Sequence, residues 1–273
     1  MKLQNVFRIL AFVVAISCLG GTHASAQQHG FYVTVDGRNP LSFGTYLGLD
    51  NPNVGRLSLL YAHWNEETPA NNHFHGIGTY SYTGPADSPT TIPTNTNNRI
   101  PETFTGQAPL TLKPGTGALA GRLISGATDE HFSDLTLYSI HDLDGHAEGH
   151  PEWYMYNSSG GGYASTSMAG MNLAIELVSM TPGLYLGVEQ LSNPGDRLAI
   201  GGEDALPFEP IFWTHDDAAV GHYAAEFKLV DLSGTYPDSG TINFDFAVVP
   251  EPNSIALLAM AGLGLIPLVR RQS

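Results

Sequence analysis

Two stretches near the C-terminal end constrain this fold most. Glu226-Phe227-Lys228-Leu229-Val230 leads into a turn-rich stretch holding Ser233-Gly234 and Asp238-Ser239-Gly240. Ile242-Asn243-Phe244-Asp245-Phe246 follows in strict apolar–polar alternation. A period of two places every apolar side chain on one face, so this pair predicts an antiparallel hairpin with one buried and one wetted face. Similar short β-rich segments recur at 31–35, 56–61, 78–82, 135–140 and 153–156. Turn formers separate them, among them Asp36-Gly37, Asn51-Pro52, Lys113-Pro114-Gly115, Thr181-Pro182-Gly183 and Asn193-Pro194-Gly195. With 31 Gly and 18 Pro against only 14% charged residues, the reading is all-β. The expected architecture is a single antiparallel β-sandwich of jelly-roll type spanning 27–249. Residues 84–101, with four prolines, read as an extended surface loop. The stretch 167–180 fits both periods: Met171, Ala174, Ile175 and Val178 suit a helix, while Ala-Ile-Glu-Leu-Val alternates as a strand does.

Charge narrows the partners. The chain carries 26 acidic and 11 basic residues, a formal net charge of −15. Setting aside Lys2, Arg8, Glu251, Arg270 and Arg271 at the two ends leaves 25 acidic and 7 basic side chains, a net of −18. Such a surface repels phosphate backbones, so no nucleic-acid partner is expected, and it attracts cations. The single cysteine, Cys18, lies in an N-terminal apolar run. Once that run is removed, disulfides, thiolate metal sites and cysteine catalysis go with it.

The ends read as processing segments. Lys2 and Arg8 precede an apolar stretch, and Ala24-Ser25-Ala26 supplies a small-residue cleavage site, so 1–26 reads as a secretory signal peptide cut after Ala26. At the other end, Pro250-Glu251-Pro252 precedes an apolar run over 255–269 and then Arg270-Arg271. These three features in order resemble the PEP-CTERM sorting signal, here 250–273, which forms a C-terminal sorting helix in bacteria with exosortase systems. The resemblance implies that signal peptidase and an exosortase-type enzyme process the chain. It also implies transient membrane insertion through the C-terminal segment, with the basic pair held on the cytoplasmic side. The protein then belongs to the bacterial cell envelope, cell surface or extracellular matrix.

Chemistry concentrates in three histidine groups. His73-Phe74-His75 in a strand would project both imidazoles from one face, about 7 Å apart at the α-carbons. His63 can join them from the preceding strand, across a turn containing Pro69. His215 and His222, with Asp216 and Asp217 between them, could complete a His₃ or His₄ set suited to zinc. A third, denser loop offers His141, Asp144, His146 and His150 as secondary candidates. Its His146-Ala-Glu148-Gly-His150 differs from the zinc-peptidase pattern because the Glu stands one place too late and Gly149 and Pro151 oppose a helix. Its Asp142-Leu-Asp144-Gly145 differs from a calcium loop, since the Gly is early and the terminal Glu is missing. A cupin site would need Glu soon after His75, where Thr79 and Tyr80 stand instead.

Three functions stay open on these grounds. The first is a noncatalytic metal binder for capture or storage, with zinc as the cofactor and a divalent cation as the partner. The His segments joined to the sorting tail are similar to PEP-CTERM proteins associated with zinc-responsive (Zur) repression, which would imply expression under zinc shortage. The second is a matrix or adhesion module using aromatics such as Trp153, Tyr154 and Tyr156. The third is a metallohydrolase with Glu66 or Asp217 as base.

Overall fold

The structure is a computed structural model that describes residues 30–65 and 67–250. The 1–26 signal-peptide reading with Ala26, the candidate base Glu66, and Glu251 and Pro252 of the sorting motif all lie outside the described residues. Among those residues no helix is long and apolar enough to cross a membrane.

The fold is strand-dominated. In chain order the strands are β1 (Phe31–Val35), β2 (Leu57–His63), β3 (His73–Gly78), β4 (Ser81–Thr83), β5 (Thr90–Ile92), β6 (Arg99–Ile100), β7 (Leu110–Thr111) and β8 (Lys113–Pro114). Next come β9 (Arg122–Ile124), β10 (Leu137–Ser139), helix α1 (Pro151–Asn157), β11 (Leu173–Met180), β12 (Tyr185–Leu186) and β13 (Arg197–Gly201). The last three are β14 (Phe212–His215), β15 (Gly221–Asp231) and β16 (Ile242–Val248). They build several sheets: β10-β1-β2-β3; β13-β11-β15-β16-β6 with β7 also on β16; β12-β14-β9-β8; and the ribbon β4-β5. The all-β reading therefore holds. Strictly antiparallel pairing does not, because β1/β10, β16/β6 and β16/β7 run parallel. Such pairs need long crossovers rather than hairpins, and local turn signals carry no information about them.

The hairpin of β15 and β16 forms as its alternation dictates. Phe227, Leu229, Ile242, Phe244 and Phe246 are buried, while Lys228, Asn243 and Asp245 face partly outward. Strand β1 is buried along its whole length. Phe31 meets Phe244 of the larger sheet, with ring centroids 5.4 Å apart, and Tyr32 meets Phe74 at 5.4 Å and Tyr138 at 5.6 Å. A strand covered on both faces is apolar nearly throughout, as 31–35 is apart from Thr34, whose buried hydroxyl donates to the Tyr163 carbonyl.

Three local expectations are revised. Residues 153–156 are helical, not extended: Pro151 opens α1 with its φ preset, Glu152 stands in the first turn, and only Met155 is buried. The loop 84–101 contains β5 and β6. The ambiguous 167–180 resolves to strand β11, where Leu173, Ile175 and Leu177 are buried between β13 and β15 and Glu176 pairs outward with Arg197 and Lys228. Ladder partners on both sides decide between two periods that the local sequence satisfies equally.

Candidate metal centre

Register assembles the centre. In the β2–β3 hairpin Tyr61 stands opposite His75, and His63 opposite His73. The period of two puts these four side chains on one face, and Phe74 on the other, where it packs on Tyr32 and Tyr163. The connection through Pro69–Asn71 is held by Asn72, whose Oδ1 accepts from the Asn65 N–H at 2.7 Å.

Hydrogen bonds set the tautomers of two rings. His73 Nδ1 lies 2.8 Å from the carbonyl oxygen of Asn71, which can only accept, so this nitrogen carries a proton. His75 Nδ1 donates to the Glu102 carboxylate at 2.6 Å. Both Nε2 atoms then present lone pairs, and they face each other at 2.9 Å. Two neutral rings cannot hold that contact unaided, because no proton remains to lie between the nitrogens. A further proton on one Nε2, or a metal ion bound by both, resolves it. Zinc at Zn–N ~2.0–2.1 Å with tetrahedral angles separates two nitrogens by ~3.3 Å, a few tenths beyond the observed spacing.

Glu102 reaches the site from the larger sheet. Ile100 pairs with Phe244 of β16, and two residues later the Glu102 side chain lies fully buried over the hairpin face. Its Oε1 accepts from His75, while its buried Oε2 has no hydrogen-bond partner and lies 4.0 Å from His63 Nε2. Ligand atoms of His63, His75 and Glu102 all fall within 4.8 Å of one another. His63 stacks on His75 at 4.6 Å and on His73 at 5.4 Å between ring centroids. Burial, and then the neighbouring His75, push the His63 imidazole below its ordinary pKa, which keeps it in the form that binds metal. Phe104 packs its ring 5.9 Å from that of His75.

His131 joins from outside the hairpin. Its Nε2 is 3.1 Å from the Tyr61 hydroxyl and its ring is 6.4 Å from that of His63. Burial, and then Glu102, push the Tyr61 phenol upward, so it stays protonated. Tyr61 and His131 also wall a pocket of about 350 Å³ whose other lining includes Asp129, Glu130 and Asp134.

The other expected ligands are placed elsewhere. His215, at the exposed end of β14, packs against Trp213 and Tyr185, and His222 stands exposed in β15 opposite Ala247. Neither belongs to a group of three or more converging ligand atoms among the described residues, nor does Asp217. The expected set of His215 and His222 with His73 and His75 is therefore not among the converging groups of the described residues. His141 is committed to structure, with Nδ1 2.7 Å from Glu203 Oε1. Asp144 accepts from the Gly145 N–H in its own turn. His146 and His150 do approach one another, with ring centroids 6.2 Å apart.

Two residues of the centre had escaped the sequence reading. Asp129-Glu130-His131 offered a signal in its cluster of ligand types. Glu102, in Ile100-Pro101-Glu102-Thr103, had none, because its partners are brought to it by a parallel strand pair. No protein-family model matches this chain, and no curated protein or solved structure is found to be similar to it.

Proposed function

We propose that this domain is a noncatalytic binder of a divalent metal ion, zinc by its ligand chemistry, for capture or storage. His63, His75 and Glu102 are the ligands whose atoms lie within 4.8 Å of one another, and His73, outside that group, adjoins them through its Nε2 2.9 Å from that of His75. One observation carries the reading: two Nε2 atoms brought to 2.9 Å of each other, with each ring's Nδ1 engaged elsewhere. The unpartnered Glu102 Oε2 supports it, since a buried carboxylate oxygen without a donor is costly unless a cation is near. A carboxylate behind a ligating histidine is the usual means of fixing ring orientation. Imidazole donors favour zinc over calcium and magnesium, and the acidic surface raises the local cation concentration.

The wider reading goes with it. The sheets form a jelly-roll-type β-sandwich, carried to the cell envelope or matrix by the 1–26 signal and retained through the PEP-CTERM segment 250–273. Pro250, at the end of the described residues, is where that segment begins.

The test is metal analysis after chelation and reconstitution. Wild type should retain zinc that His73→Ala/His75→Ala loses from this site. Equal stoichiometry and affinity in the two proteins would reject the assignment. Glycan binding that persists after complete metal removal would instead favour an adhesion module.

A further inference from the structure

We propose a second metal site, on the surface, formed by His146, His150 and Glu152 and suited to Zn²⁺ or Cu²⁺. It does not depend on the centre at His63, His75 and Glu102. One ligand atom from each of the three residues lies within 4.8 Å of the other two. All three come from seven consecutive residues, which makes the site local to one loop.

The loop is bent so that they converge. Gly145 and Gly149 take left-handed backbone conformations, with φ of 78° and 98°, which side chains bearing a Cβ rarely adopt. Pro151 then begins α1 and fixes the direction in which Glu152 leaves the loop. The histidines at 146 and 150 thus meet without the helix that a His-x-x-x-His pair ordinarily requires, and the carboxylate comes from beyond the second histidine rather than from between the two. The loop is also tied down. Asn72 Nδ2 donates to the Pro151 carbonyl at 3.1 Å, and the same Asn72 side chain braces the hairpin that presents His63 and His73.

Two imidazoles and a carboxylate are a borderline donor set, which selects Zn²⁺ or Cu²⁺ over hard cations. His146 and His150 are exposed and Glu152 is half-buried, so water fills the remaining coordination positions and exchange is fast. Exposed Asp144 and Glu148 flank the loop and draw cations toward it. The surface site therefore exchanges its ion faster and binds more weakly than the His63/His75/Glu102 site, which fills first in a titration.

The experiment is a Zn²⁺ titration of the chelator-stripped protein against a chromophoric competitor. Wild type should bind two classes of ion. His146→Ala/His150→Ala should lose one equivalent, the weaker, and keep the tighter, while His73→Ala/His75→Ala should do the reverse. Circular dichroism on both variants verifies that each is folded. Cu²⁺ added to His73→Ala/His75→Ala should give an electron paramagnetic resonance spectrum with two imidazole nitrogens, absent when His146 and His150 are also replaced. If His146→Ala/His150→Ala keeps every class that wild type has, the surface site is rejected, whatever becomes of the other. If only the other assignment fails, the class removed by His146→Ala/His150→Ala persists in His73→Ala/His75→Ala.

Discussion

Replacing Glu102 by Gln separates the cost of its charge from its service to a metal. The side chain is fully buried, with one oxygen bonded to His75 and the other without a donor. Burying an ion costs several kcal/mol unless it is paired. Gln keeps an acceptor for the His75 Nδ1 proton and removes the charge, but leaves an amide with an unmet donor worth about 1–3 kcal/mol. The two changes oppose each other, so metal-free Glu102→Gln should lie within about 1 kcal/mol of wild type. The metal-loaded protein should behave otherwise. Ligand in thousandfold excess over its Kd stabilises by about 4 kcal/mol. Losing the carboxylate behind a histidine ligand lowers metal affinity about 10–100-fold, which cuts that increment by about 1.4–2.7 kcal/mol. At about 2–4 °C per kcal/mol for a domain of this size, the zinc-dependent rise in Tm should shrink by roughly 3–11 °C. Thermal unfolding followed by circular dichroism, with saturating zinc and with chelator, reads both quantities. Equal zinc-dependent shifts in wild type and variant would refute the argument, even if Gln lowers the metal-free Tm.

Other outcomes follow from the same structure. His63 is held below its ordinary pKa by burial and by His75, so the unfolded chain binds this proton more readily. The stability it confers is full above ~6.5 and falls as pH drops through that value, and metal-free His63→Gln should show a flatter pH dependence of the urea midpoint; parallel curves would contradict it. Burial raises Asp231, but hydrogen bonds from the Asn172 N–H, the Ser233 hydroxyl and the Tyr236 N–H outweigh it and hold the carboxyl down to about 2. Its contribution is present above the unfolded value of ~3.9 and lost as pH falls toward 2; after solvent screening, Asp231→Asn should cost about 1–2 kcal/mol at neutral pH and nothing near pH ~2. Phe244 packs against Phe31 at 5.4 Å, Phe227 at 4.9 Å and Phe212 at 5.8 Å, so Phe244→Ala should cost about 3–5 kcal/mol by chemical denaturation; a loss below about 1 kcal/mol would show that the two sheets do not depend on it.

What the sequence made legible was local. Strict alternation over 242–246 and the β-rich segment 31–35 located β16 and β1, because burial on one face or on two leaves a pattern within five residues. Spacing alone put His73 and His75 on one face, and the hairpin register set His63 opposite His73. Where two local preferences competed, the pattern was silent: Pro151 turned an aromatic run into α1, and ladders on both sides turned 173–180 into β11. Everything that depended on distant pairing was hidden. Joining His215 and His222 to the first group required β14 and β15 to share an end with β2 and β3, and no residue type records that. Glu102 is the same difficulty with the opposite outcome. It reaches His75 only because β6 lies parallel to β16 and Phe244 packs on Phe31, whose strand pairs with β2. An acidic chain gives no reason to single out one carboxylate. A fully buried carboxylate over two converging imidazoles does, since burial without a counter-charge is the state that a folded chain otherwise avoids.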